Sequence, residues 1–85
     1  MDKIYIVETA SYNPKSCEWD NQTSVKYFRS KVRAVDFCER WMANYKKDYP
    51  DGAVRISQTS TADRYYFNFA DGSIEEYEIY AAELN

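Results

Sequence analysis

Three glutamates near the end of the chain, Glu75, Glu76 and Glu78, come closest to a catalytic spacing. Paired carboxylates divide the roles of acid and base in glycoside cleavage when their surroundings differ. On an extended strand Glu76 and Glu78 are same-face neighbours, roughly 6.5–7 Å apart at the usual rise. A solvated acidic stripe has the same spacing, and an open sheet face offers no cleft to desolvate one member of the pair. Nucleophilic templates fail earlier. The chain has no histidine, so no Ser-His or Cys-His pair can form, and no side chain titrates near neutrality without a large environmental shift. Cys17 and Cys38 lack the Cys-x-x-Cys spacing of a metal or redox site. No acidic loop has the glycine-centred pattern of a calcium site. Gly52 and Gly72 are the only glycines, too few for a phosphate-cradling loop. The residues therefore predict a protein that is not an enzyme, with no catalytic residues, no cofactor and no metal.

Charge and aromatic placement carry more information. From Met1 to Lys47 there are nine bases and six acids, a balance of +3; from Asp48 to Asn85 there are two bases and eight acids, a balance of −6. The segment Tyr65 to Asn85 has five carboxylates and no base. Tyr65, Tyr66, Tyr77 and Tyr80 sit among those acids. Aromatics beside carboxylates suit a surface that meets a basic protein, the rings supplying rigid contact area and the acids steering the partner. Tyr66, Asn68, Glu76, Glu78 and Tyr80 form the predicted partner-binding patch. Direct nucleic-acid binding is disfavoured. Its basic footprint would rest on Lys26, Arg29, Lys31 and Arg33, a cluster more typical of a solvated helix start. Bases stacking on Tyr66 and Tyr80 would bring phosphates against Glu76 and Glu78.

The elements that place these residues are legible in part. Lys3 to Thr9 is a β-branched and aromatic run, apolar on both faces, and reads as an interior strand. Ala10 to Gln22 reads as a loop, with a short extended piece at Cys17 to Trp19 and a turn at Asp20 to Gln22 leading into a strand at Thr23 to Arg29. Ser30 is the expected N-cap of a helix from Lys31 to Asp48. Ala34, Cys38, Trp41 and Tyr45 recur on its apolar face, and Pro50 with Asp51-Gly52 stops it. Cys38 and Trp41 are expected to be buried there. Ala53 to Thr59 alternates Val54, Ile56 and Gln58 against Arg55 and Ser57, as a half-buried strand does.

The last hairpin has two possible registers. A two-residue turn at Asp71-Gly72 sets Phe67 opposite Glu76 and Tyr65 opposite Glu78. A three-residue loop Ala70-Asp71-Gly72 with Gly72 left-handed sets Phe69 opposite Ser73, Phe67 opposite Glu75 and Tyr65 opposite Tyr77. Only the second gathers Tyr65, Phe67, Phe69, Tyr77 and Ile79 on one face, so burial selects it. Glu76 and Glu78 then point outward beside Tyr66, Asn68 and Tyr80.

With 85 residues the chain forms one domain, residues 1–85, of α+β class: one helix packed on a four- to five-stranded, mainly antiparallel sheet. The sheet face away from the helix should be wet. No apolar run is long enough to cross a bilayer, and two cysteines without a leader pattern point to a reducing cytoplasm.

In overall character the whole chain resembles the small acidic single-domain proteins that bacteriophages encode to block host machinery, anti-CRISPR proteins among them. Size, the segment DGSIEEYEIYAAELN and the tyrosine excess carry the likeness, not a motif. It implies stoichiometric inhibition of a host nucleic-acid-handling complex by occlusion of a basic surface, without a cofactor. The mild net charge of −3 and the basic N-terminal half depart from the strongly acidic members of that group. Two other readings are a small structural or assembly module that self-associates, as a homodimer for instance, and a single-strand RNA binder.

Overall fold

The structure, a computed structural model, describes residues 2–83, with Asn21, Gln22 and Thr23 described by their backbone alone. The order of elements is β1 (Lys3–Asn13), β2 (Glu18–Phe28), α1 (Lys31–Asp48), β3 (Ala53–Gln58), β4 (Ala62–Asn68) and β5 (Ile74–Glu83). The five strands form one antiparallel sheet in the order β2-β1-β5-β4-β3, and α1 lies across one face. The α+β class, the interior position of the first strand and the helix bounds are as expected from sequence.

The first hairpin departs from expectation. Ala10 to Gln22 is not a loop: β1 runs on to Asn13 and β2 begins at Glu18, so Asp20 lies within a strand. The chain reverses at Pro14 to Cys17 instead, where Asn13 Oδ1 accepts from the Lys15 amide at 2.9 Å and Cys17 takes a left-handed φ of 57°. The Asp20-Asn21 signal marks an irregularity instead, for the register shifts where Thr9 pairs Ser24 and Ala10 pairs Asn21. A β-bulge absorbs extra residues without ending a strand, which is why turn-forming residues misread as a reversal here.

The second hairpin takes the three-residue loop. Tyr65 faces Tyr77 and Phe67 faces Glu75, the Phe69 amide bonds Ser73 O at 2.9 Å, and Gly72 has φ 93°. Asp71 Oδ1 accepts from the Ser73 amide and hydroxyl, which holds its carboxyl below the usual range.

Val7, Ala34, Cys38, Met42, Tyr65, Phe67, Tyr77 and Ile79 form the core between helix and sheet. Buried Tyr77 and partly buried Tyr45 share a hydroxyl–hydroxyl hydrogen bond of 3.0 Å, the polar satisfaction that such phenols require. Cys38 is buried as expected, and burial first, then the charges of Glu39 and Asp63, push its thiol up to about 12.

Three expectations about α1 and its neighbours fail, the first two for one geometric reason. A helix is about 10–12 Å wide with its side chains, while strands repeat every ~4.8 Å, so one helix covers two or three strands. The strands that supply the buried core beneath it are the central ones, β1, β5 and β4. Trp41, on the flank of the apolar face, is 41% exposed, stacking on Phe37, Tyr45 and Tyr77 at the rim. Val54 and Ile56 on edge strand β3 are 41% and 52% exposed, so that strand is not half-buried. Ser30 is the N-cap residue, but its side chain makes no capping bond; its carbonyl accepts from the Ala34 amide at 3.2 Å. At the other end Lys46 Nζ donates to the carbonyls of Pro50 and Gly52, tying the helix exit to the start of β3.

Candidate functional site: the open sheet face

Directly paired residues share a face, so the registers lay out the side of the sheet away from α1 row by row. One row runs Tyr27, Ile6, Tyr80, Ala62; the next Val25, Glu8, Glu78, Arg64, Ser57. Then follow Ala10, Glu76, Tyr66, Arg55 and finally Trp19, Tyr12, Ile74, Asn68, Ala53. The five predicted residues, Tyr66, Asn68, Glu76, Glu78 and Tyr80, therefore lie on one face and on two adjacent strands, β4 and β5. Glu75 lies on the opposite face, where its Oε1 accepts from Ser11 Oγ at 2.8 Å. The triad of glutamates is thereby divided.

Glu76 and Glu78 are not a free acidic pair. Arg64 stands opposite Glu78 on β4 and bonds its Oε2 through Nη2 at 2.8 Å and Nε at 2.9 Å, with Glu76 Oε2 at 4.0 Å from the same Nε. One guanidinium thus spans both carboxylates in a side-on geometry suited to its planar fork. Arg55 on β3 lies over the Tyr66 ring, 4.4 Å from its centroid, as cation–π contacts require. Burial first, and then the Glu76 carboxylate, hold the Tyr66 phenol above its ordinary value. Tyr80 donates its hydroxyl to Glu8 Oε1 at 2.6 Å; that bond, ahead of burial, pushes the phenol up to about 12.

The remaining residues of the face come from β1 and β2, and sequence reasoning missed them. Trp19 is 44% and Tyr27 is 64% exposed, with Val25 between them along the strand. Tyr12 and Trp19 stack across the strands with centroids 5.3 Å apart. Alternation in β2 carries the signal, since Trp19, Val25 and Tyr27 lie an even number of residues apart, but the turn-forming Asp20 and Asn21 between them break the run in sequence. Nothing local to β5 announces that Glu8 lies opposite Glu78, because long-range register is not written in either segment.

Aromatic and aliphatic side chains thus border a charged centre in which Glu8, Glu76 and Glu78 outnumber Arg64 and Arg55 by one. Of the acids that dominate the tail in sequence, Glu76 and Glu78 are met by Arg64 from β4. A hollow of about 460 Å³, lined by Ser11, Tyr12, Asn13, Ser16, Glu18, Trp19 and Asp20, lies at the turn end of the first hairpin, away from Glu76 and Glu78. Among the described residues no group of three or more Cys, Asp or Glu is gathered to hold a metal ion, and no helix is long and apolar enough to cross a membrane. Comparison with protein-family models, with curated proteins and with solved structures returns no match.

Proposed function

We propose that this protein is a non-enzymatic binding module that docks its open sheet face on a basic surface of a protein partner and occludes it. One observation carries the reading. Tyr12, Trp19, Tyr27, Tyr66 and Tyr80 are set on one rigid antiparallel sheet around Glu8, Glu76 and Glu78, with nothing from the chain's own helix packed over them. Rigid aromatics give contact area at low entropic cost, and partly matched charge between them gives orientation. Arg64 makes the docking conditional: a partner's arginine or lysine must share Glu76 and Glu78 with it. Such a face selects for a basic group placed to complete the network, not for positive charge in general.

The phage-inhibitor likeness of the sequence extends this proposal. An acidic strand flanked by tyrosines would occupy an Arg/Lys groove meant for a nucleic-acid backbone, as a stoichiometric inhibitor does. Both cysteines are free and Cys17 is exposed, which suits a reducing compartment such as the cytoplasm. Single-strand RNA is the weaker fit, because Glu8, Glu76 and Glu78 interrupt every path from Tyr80 to Tyr66 and would face the phosphates.

The test is capture on immobilised protein from the native cell extract, comparing wild type with Glu76→Gln/Glu78→Gln. Glutamine keeps the shape while removing the charge; lysine would set an ammonium against Arg64. A basic protein retained by wild type, released by raised salt and lost by the variant agrees with the proposal. Equal retention by both refutes it. Attraction between exposed charges decays over about 8–10 Å at physiological salt and over less as salt is raised, so the salt response distinguishes exposed charge contacts from a purely apolar one.

A further inference from the structure

We propose that β3 is a dimerisation edge: two copies of this chain pair antiparallel through Ala53–Gln58 about a two-fold axis at Ile56, joining their sheets into one. This does not depend on the docking role of the open face.

Among the described residues β3 is a terminal strand of the sheet, paired only to β4. Its hydrogen-bonding phase follows from two turns. The Thr59 amide bonds Ala62 O at 2.9 Å, and the Phe69 amide bonds Ser73 O at 2.9 Å, which aims the backbone of Phe69, Phe67, Tyr65 and Asp63 at β5. Alternation along antiparallel ladders then assigns Ala53, Arg55 and Ser57 as the residues bonded to β4, leaving the amides and carbonyls of Val54, Ile56 and Gln58 directed at the free edge. An edge of this kind is normally blunted by lysine, proline or a bulge. β3 has none of these, and its one charge, Arg55, is folded over Tyr66 on the open face. The opposite edge, β2, is guarded by Lys26, Glu18 and Asp20 and by its register irregularity.

A second copy fits this edge because the segment is complementary to itself. With the axis at Ile56, Ile56 meets its counterpart, Val54 meets Gln58 and Arg55 meets Ser57. Every outward amide and carbonyl of Val54, Ile56 and Gln58 then finds a partner, and no like charges oppose. Moving the axis to Arg55 sets guanidinium against guanidinium, and moving it to Ser57 leaves Val54 unpaired. Antiparallel pairing through a two-fold normal to the sheet keeps both helices on the same side. Val54 and Ile56 of both copies then form one apolar strip there, which accounts for two exposed aliphatic side chains on a strand without other protection.

Light scattering on the full chain tests this. The expected result is a mass that rises from monomer to dimer with concentration, and an Ile56→Lys variant that stays monomeric because two ammoniums meet at the axis. Ile56 is exposed in the single chain, so the variant should keep the wild-type circular dichroism spectrum. In a Cys17→Ser background, Ile56→Cys should oxidise to a covalent dimer, since directly paired residues sit about 5.5 Å apart, within disulfide reach. Arg55→Cys in the same background should cross-link far less. A monomer up to about 1 mM, the weak end of specific association, overturns the proposal. So does a dimer that survives Ile56→Lys, or one abolished only by Tyr27→Lys on the open face.

Discussion

Arg64 decides how the acidic tail behaves, and no reading of the tail alone could show it. Glu76 and Glu78 were legible as outward-facing because one glycine fixes their register, yet their nearest base comes from the neighbouring strand in a pairing that brings Arg64 beside Glu78. Two phenols and a thiol make a separate residue-scale prediction. Cys38, Tyr65 and Tyr80 are each raised to about 12, the first two mainly by burial and Tyr80 mainly by its bond to Glu8, from ordinary values of 9.0 and 10.0. These groups stay protonated in the fold after the unfolded chain has begun to lose its protons. Their contribution is fully present below about pH 9, and is lost as pH rises towards about 12. Thermal melts across that window should fall steadily, and Tyr65→Phe should flatten the fall. A midpoint unchanged from pH 9 to 11 would show that these groups are accessible to solvent.

At the scale of elements, the helix was readable to its bounds because a long apolar period, a following Pro-Asp-Gly and two terminal lysines all agree. What the period could not show is how far the helix reaches across the sheet, which depends on sheet width and order. Trp41 and Phe67 expose the difference. Phe67 is fully buried and touches Tyr45 and Phe69, so Phe67→Ala should cost about 3–5 kcal/mol. Trp41 sits at the rim, and Trp41→Ala should cost clearly less in urea unfolding; equal losses would mean the rim is closed over. Gly52 gives a sharper test of helix-exit packing. A Cβ there would lie 2.4 Å from the Phe67 ring and 3.0 Å from Asn68 O. Gly52→Ala should therefore destabilise by about 1–3 kcal/mol through overpacking, and a neutral result would mean that the ring has room to move. The first hairpin was the element least visible in sequence, since Asn-Pro and Asp-Asn both promise reversals and only one delivers a turn.

Across the whole molecule, one helix on five strands leaves a full sheet face and two edges uncovered. The 44 Å long axis exceeds what an 18-residue helix can span, at about 1.5 Å per residue. Tyr12 and Trp19 reach the open face from strands assigned partly to a loop, so the site was half legible: the β4–β5 part from its register, the β1–β2 part not. The central claim is that the open face is where a partner sits. Carboxylate labelling with a carbodiimide, read by mass spectrometry on the captured complex and on the free protein, measures this directly. Bound partner should protect Glu76 and Glu78 while leaving Asp36 and Glu39 on the helix as reactive as before. Protection of the helix carboxylates with Glu76 and Glu78 unchanged would contradict the account.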